Sequence, residues 1–157
     1  MVKIIKEFVS KEDCFAIIDY LERLIISGEA HTQNDKRICI INKTDPFISQ
    51  LVEKYTNKTI TLMNDKYTKF NGFIITKYVE GVGMANHVDS SKDEEMGALM
   101  YLNEDYEGGE LTYSDDKGSH FIKPKSGSMV YCPSWYTHGV NPVTKGIRYF
   151  FTISLLG

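Results

Sequence analysis

Long apolar runs are missing from this sequence of 157 residues. The longest are five residues, Cys14 to Ile18 and Ala98 to Leu102, against the roughly 20 that a membrane-spanning helix needs, so no membrane helix is expected. Cysteine is scarce and odd in number: Cys14, Cys39 and Cys132 lack CxxC spacing, which argues against both a disulfide framework and a cysteine zinc site. The N-terminal MVKIIKEFVS has no continuous apolar core and no small-residue cleavage site, so the expected location is cytoplasmic. Excess charge is also lacking. A net charge of -3 offers no broad positive surface for duplex nucleic acid, and neither nucleic acid nor membrane is an expected partner. No nucleophile elbow, Walker loop or HExxH segment is present, and no repeat.

What is there suffices for a core. Apolar residues make up 42% and charged residues 25%, the balance of an ordinary globular chain. One domain over residues 1–157 is expected, with 1–69 mainly helical support. Glycine divides the chain: Gly28 is alone among the first 70 residues, and the other eleven lie from Gly72 onward. In the first part, Ser10 with Asp13 resembles a capping box, and Phe15, Ile18, Leu21 and Ile25 recur at helical spacing before Gly28. After a short apolar stretch at Ile38 to Ile41, Asp45 can cap a second helix with Pro46 at its first position, burying Phe47, Leu51 and Tyr55. The second part reads as strands at Phe73 to Tyr78, Met96 to Leu102, Glu110 to Tyr113, Ser128 to Tyr131 and Ile147 to Leu155. The expected class is α+β, mainly β, a sandwich or barrel with the N-terminal helices packed outside. The charge run from Lys92 to Glu95 reads as a solvated loop.

Four histidines occur, and two have suggestive neighbours. His87 precedes Asp89 by two residues, so in an extended segment both project from one face and can reach one metal ion. His138 lies in PSWYTHGVNP, which can bring it alongside. Two histidines and a carboxylate suit an octahedral Fe(II) with one side open. The same residues are also compatible with a surface His-Val-Asp and an unrelated loop histidine. Arg148 opens Arg-Tyr-Phe-Phe-Thr-Ile-Ser, where alternation places Arg148, Phe150 and Thr152 on one face. An arginine on an apolar inward face is costly unless it meets an anion; on an edge strand it would face water.

Together, Tyr78, His87-Val88-Asp89, Tyr101-Leu102-Asn103, Gly108-Gly109-Glu110-Leu111, Pro124 with Gly127, His138 and Arg148 resemble the Fe(II)- and 2-oxoglutarate-dependent oxygenases, and within them the prolyl 4-hydroxylase-like branch. The likeness spans about residues 70 to 155. It implies a double-stranded β-helix, a jelly-roll or cupin-like barrel, with its core over 70–157. It implies His87, Asp89 and His138 as iron ligands, Arg148 as anchor of the far carboxylate of 2-oxoglutarate, and Tyr101 as its helper. Tyr78 would line the pocket or simply pack in the core, and Thr152 would add a hydroxyl or only pack. Gly108 and Gly109 would form a tight turn, and Trp135 would be a core or rim residue. The implied cofactor set is Fe(II), 2-oxoglutarate as cosubstrate, O2 and ascorbate. The implied reaction is hydroxylation of an unactivated C–H, on proline in a peptide or protein. Glu80 to Ala85 and Ser90 to Glu95 would cover that substrate, the acidic second segment favouring nearby basic residues. Two alternatives stand beside it: the same chemistry on a free amino acid, small metabolite or nucleobase, and a non-catalytic jelly-roll protein that binds a metal or nothing. One departure is Val79-Glu80-Gly81 after Tyr78, where many members of the family have proline. Asp89 is present where related halogenases have a small residue, so hydroxylation is favoured.

Overall fold

The computed structural model describes residues 2–89 and 94–157; of the two segments expected to cover a substrate, and of the charge run from Lys92, residues 90–93 lie outside the described ones. Two helices stand where caps called for them. Ser10 accepts from the Asp13 backbone N–H at 3.1 Å and starts α1 (Lys11–Ile26). Asp45 accepts from Ile48 N–H at 3.0 Å ahead of Pro46 and starts α2 (Pro46–Leu62). Such side chains satisfy amide donors left open by the first helical turn. The helix α2 stops at Leu62, and Asn64 and Asp65 reverse the chain with positive φ values of 51° and 58°.

Both helices bury a face shifted from the expected one. On α1 the buried residues are Cys14, Ile17, Tyr20 and Leu21, while Phe15 is 62% exposed. On α2 they are Ile48, Val52, Tyr55, Thr56 and Thr59, while Phe47 is 41% exposed and rests against the Tyr20 ring at 5.4 Å. Leu51, Ile18 and Ile25 are half-buried. Each helix carries apolar residues over more than half its circumference, and the sheet beneath selects which of them it covers.

The strands are β1 (Lys3–Ile5), β2 (His31–Thr32), β3 (Ile38–Ile41), β4 (Lys69–Tyr78), β5 (Met84–His87), β6 (Glu95–Tyr101), β7 (Glu107–Gly108), β8 (Leu111–Asp115), β9 (Gly118–Ile122), β10 (Met129–Pro133), β11 (Thr137–Val140), β12 (Val143–Lys145) and β13 (Arg148–Leu156). They form a seven-stranded sheet in the order β1-β10-β6-β13-β4-β3-β2, a four-stranded sheet in the order β5-β11-β8-β9, and the pair β12-β7. Every pairing is antiparallel. This is the double-stranded β-helix, with the large and small sheets face to face.

The large sheet separates two interiors. On one face Phe73, Ile75, Ala98, Met100, Phe151, Ile153 and Leu155 pack with Ile17, Leu21, Ile48 and Tyr55 of the helices. Alternation turns the next residues in each strand the other way, and Ile74, Thr76, Tyr78, Leu99, Arg148, Phe150 and Thr152 line a cavity between the sheets. Each fully buried aliphatic on the helix side contributes about 1.5–3 kcal/mol. That layer fixes the sheet on which the cavity is built.

Three carboxylates stitch the helices together and to the sheet. Asp13 receives Tyr55 and Lys54, Asp45 receives Tyr20, and Glu22 receives Tyr149 at 2.5 Å and Lys77 at 2.6 Å. Burial pushes each carboxyl up, but these hydrogen bonds outweigh it and hold all three below the ordinary carboxylate range. A depressed folded-state value contributes stability that is present above an ordinary value of about 4 and is lost as pH falls through that value and below. The urea midpoint should therefore change little from pH 7 to 5.5 and drop steeply towards pH 3, and Asp45→Asn should be less stable at pH 7 with a shallower acid loss. An equally steep loss in that variant would remove Asp45 from the account.

Candidate active site

The small sheet places its two central histidines by register. His87 on β5 is the cross-strand partner of His138 on β11, and their ring centroids are 4.5 Å apart. The approach of β5 to β11 depends on Gly139: a Cβ there would fall 2.5 Å from Asn86 Oδ1 and 2.7 Å from the Met84 carbonyl. Beyond β5 the chain is held by the Asp89 N–H donating to the Ser134 carbonyl at 3.0 Å. Asp89 then brings Oδ1 to 3.0 Å from His87 Nε2 and Oδ2 to 3.1 Å from His138 Nε2.

Both imidazoles are oriented from behind. His87 Nδ1 donates to the Ala85 carbonyl and His138 Nδ1 to the Tyr136 carbonyl, each at 2.8 Å. A proton held on Nδ1 leaves the Nε2 lone pair facing inward, the tautomer a metal ligand requires. The three side chains offer ligand atoms within 4.8 Å of one another. The His138 hydrogen bond, set against burial, holds Asp89 below the ordinary carboxylate range, and Asp89 in turn pushes His138 up. Two imidazoles and one carboxylate, open on the cavity side, fit Fe(II).

The same cavity, about 470 Å³, has Arg148 in its wall on the large sheet. Arg148 is 0% exposed. Its Nη2 donates to the Tyr101 hydroxyl at 2.9 Å, whereas Nε and Nη1 have no partner. The hydroxyls of Tyr78 and Tyr106 are also buried without a partner. The guanidinium carbon sits 4.3 Å from the Phe150 ring centroid, 4.9 Å from Tyr101 and 5.2 Å from Tyr78. Aromatic faces offset part of the cost of burying the charge, but a desolvated cation with two open donors calls for an anion. A carboxylate of 2-oxoglutarate fits that donor set, since guanidinium binds carboxylate in a fork.

The sequence-derived candidates fall as follows. His87, Asp89 and His138 meet at one point, and Arg148 and Tyr101 are hydrogen-bonded. Tyr78 is both cavity-lining and buried, so pocket and core roles coincide in it. Thr152 is half-buried in the cavity wall. Trp135 is 40% exposed, so it is not a core residue, and it is not among the residues lining the cavity.

Sequence reasoning missed Tyr106, Asp35 and Arg37. Tyr106 packs at the Arg148 side chain, and burial pushes its phenol up to about 12. Its place just before Gly108-Gly109 was the available signal. Asp35 and Arg37 line the cavity from the connection between β2 and β3, where a polar turn gave no sign of facing inward.

Residues 73–154 match the family profile described as the 2OG-Fe(II) oxygenase superfamily. A PKHD-type hydroxylase of Parvibaculum lavamentivorans is 30% identical over 131 residues, covering 74% of this chain and 52% of that protein. One from Aliarcobacter butzleri is 37% identical over 84 residues, covering 46% and 37%. The chain thus spans about half or less of the length of these curated relatives. Among solved structures, a Pseudomonas putida prolyl-4-hydroxylase superposes with a TM-score of 0.83 at 17% identity, covering 99% of this chain and 91% of that one. A prolyl hydroxylase from Trichoplax adhaerens, in complex with a hypoxia inducible factor peptide fragment, gives 0.77 at 17%, covering 99% and 83%. At these identities the structural likeness is one of fold.

Gly109 adopts φ of 65°, and a Cβ there would stand 3.1 Å from Tyr106 Cε2 and 3.2 Å from Arg148 Cδ. Gly109→Ala should therefore displace the Arg148 side chain as well as strain the turn. The expected result is a loss of about 1–3 kcal/mol of stability and a dissociation constant for 2-oxoglutarate raised about tenfold, measured by calorimetry with a divalent metal present. Unchanged affinity would show that Arg148 does not depend on that packing.

Proposed function

This chain belongs to the 2OG-Fe(II) oxygenase superfamily, and on that premise we propose that it hydroxylates prolyl residues in peptides or proteins. The observation that carries the proposal is the joining, in one cavity, of an inward-facing His87, Asp89, His138 set with a buried Arg148 whose donors are unfilled. A protein that only bound a metal would have no use for that guanidinium.

His87, Asp89 and His138 would hold Fe(II), and Arg148 with Tyr101 would hold the far carboxylate of 2-oxoglutarate. Bound together with O2, these groups supply the oxidising power that converts an unactivated C–H into C–OH, 2-oxoglutarate leaving as succinate and carbon dioxide. The chain's own part is placement and exclusion. The carbonyls of Ala85 and Tyr136 keep both imidazoles in one tautomer and one orientation. Tyr101 fixes the guanidinium in the cavity wall. Leu99, Leu111, Val140 and Phe150 keep the space between the two centres apolar, which strengthens charge interactions within it. No side-chain acid or base is required at the reacting carbon. The peptide assignment is supported by the PKHD-type hydroxylases and prolyl hydroxylases to which the chain is similar.

Protein supplied with Fe(II), 2-oxoglutarate, O2 and proline-containing peptides should release succinate and add one oxygen to proline, located by fragmentation mass spectrometry. Asp89→Ala, a substitution at a half-exposed side chain, should reduce turnover at least a hundredfold while leaving the fold intact by circular dichroism. Succinate formed with nucleotides or free metabolites, and never with peptides, would overturn the prolyl assignment and leave the oxygenase one standing.

A further inference from the structure

The cavity wall holds a second guanidinium with a free face. Residues 31–41 form a hairpin at the edge of the large sheet, in which the β2 and β3 strands are joined by a turn closed by Lys36 N–H donating to the Gln33 carbonyl and Gln33 N–H to the Arg37 carbonyl. Ile38 pairs with Lys77 of β4, so Arg37, one residue earlier, stands beside Tyr78. On its other side Tyr78 pairs with Arg148. Arg37, just ahead of β3, thus forms a row with Tyr78 of β4 and Arg148 of β13, all lining the cavity that His87, Asp89 and His138 border from the opposite side.

Asp35 occupies only one edge of Arg37. Its Oδ2 lies 2.6 Å from Arg37 Nε and its Oδ1 accepts from the Arg37 backbone N–H at 3.2 Å. Among the described residues, the Nη1 and Nη2 end of the guanidinium has no ion-pair partner and meets only the neutral Tyr78 hydroxyl as a polar neighbour. The side chain is 29% exposed, withdrawn from bulk water yet reachable from the cavity mouth. A planar fork whose end edge carries no anion, in a largely apolar wall, is suited to a carboxylate bound through two parallel hydrogen bonds. Arg148 is fully buried and Arg37 is not, so the two cations divide the cavity into an inner and an outer anion position.

We propose that Arg37 determines specificity by taking a carboxylate of the substrate, so that the preferred peptide carries Asp or Glu next to the oxidised proline. This rests on the peptide reading above. It gives the hairpin a role that the metal and cosubstrate positions do not, and it places a charge test on the substrate before its reacting carbon reaches the triad.

The test uses the full chain with 2-oxoglutarate and peptides differing only beside proline: Glu, Gln or Lys. Binding is measured without oxygen by calorimetry with Mn(II) in the metal position, and turnover separately with Fe(II) and O2. Wild type should bind the Glu peptide about tenfold more tightly than Gln, and Lys more weakly still. Arg37→Gln should level the series, and Arg37→Glu should invert it. The dissociation constant for 2-oxoglutarate should move less than twofold in Arg37→Gln. Equal binding of Glu and Gln peptides by wild type overturns the proposal, as does an order unchanged in Arg37→Glu or the failure of every acidic peptide to bind. A tenfold loss of 2-oxoglutarate affinity with the peptide order unchanged also overturns it and assigns Arg37 to the cosubstrate. Charge-dependent binding without oxygen transfer supports the role of Arg37 and counts against the hydroxylase reading. Turnover without charge preference does the reverse.

Discussion

The buried guanidinium of Arg148 is the constraint around which the molecule is arranged. A cation with no exposed surface and two unfilled donors is a liability in a folded chain, and the structure surrounds it with what reduces that cost short of an anion: one tyrosine hydroxyl and three aromatic faces. Maintaining such a site requires a rigid frame. The β13 strand that carries Arg148 is paired along its length with β4 on one side and β6 on the other. Its alternate residues Phe151, Ile153 and Leu155 anchor the strand in the helix-covered core. The packed face of the sheet thereby holds the charged face in place.

Division of labour between the two sheets follows from this. The large sheet is backed by helices and supplies the fixed guanidinium, whereas the small sheet supplies the histidines on short strands set by cross-strand register. Those strands have no helical layer behind them. Their precision comes instead from backbone contacts close to each ligand: the carbonyls two residues before each histidine, the Asp89 amide on Ser134, and the space left at Gly139.

What the sequence revealed and what it hid have the same cause. The caps at Ser10, Asp45 and Pro46 act locally and could be read locally. The strands β4, β6 and β13 show their alternation because every other residue is apolar and covered by helices. Arg148 stood out because it breaks that pattern. By contrast β5, with Met-Ala-Asn-His, and β11, with Thr-His-Gly-Val, have no apolar alternation; the His87-Val88-Asp89 spacing, the Pro- and Gly-flanked segment around His138 and the family likeness were what pointed to them. Phe15 and Phe47 misled because each helix has more apolar residues than one sheet can cover. Arg37 and Asp35 could not be located from sequence, since nothing local indicates that an edge hairpin turns its polar tip inward. Tyr106 was hidden in the same way, an aromatic beside a glycine turn whose neighbour is a residue 42 positions later.

The face-to-face arrangement of the two sheets also works as a gauge. The ligand set belongs to one sheet and the guanidinium to the other, so the gap between them, fixed by packing of the intervening apolar side chains, sets the length of any two-ended molecule that can engage both. Selection among dicarboxylic keto acids would thereby rest on the spacing of the two sheets, a property spread over many residues rather than held by the ligands alone.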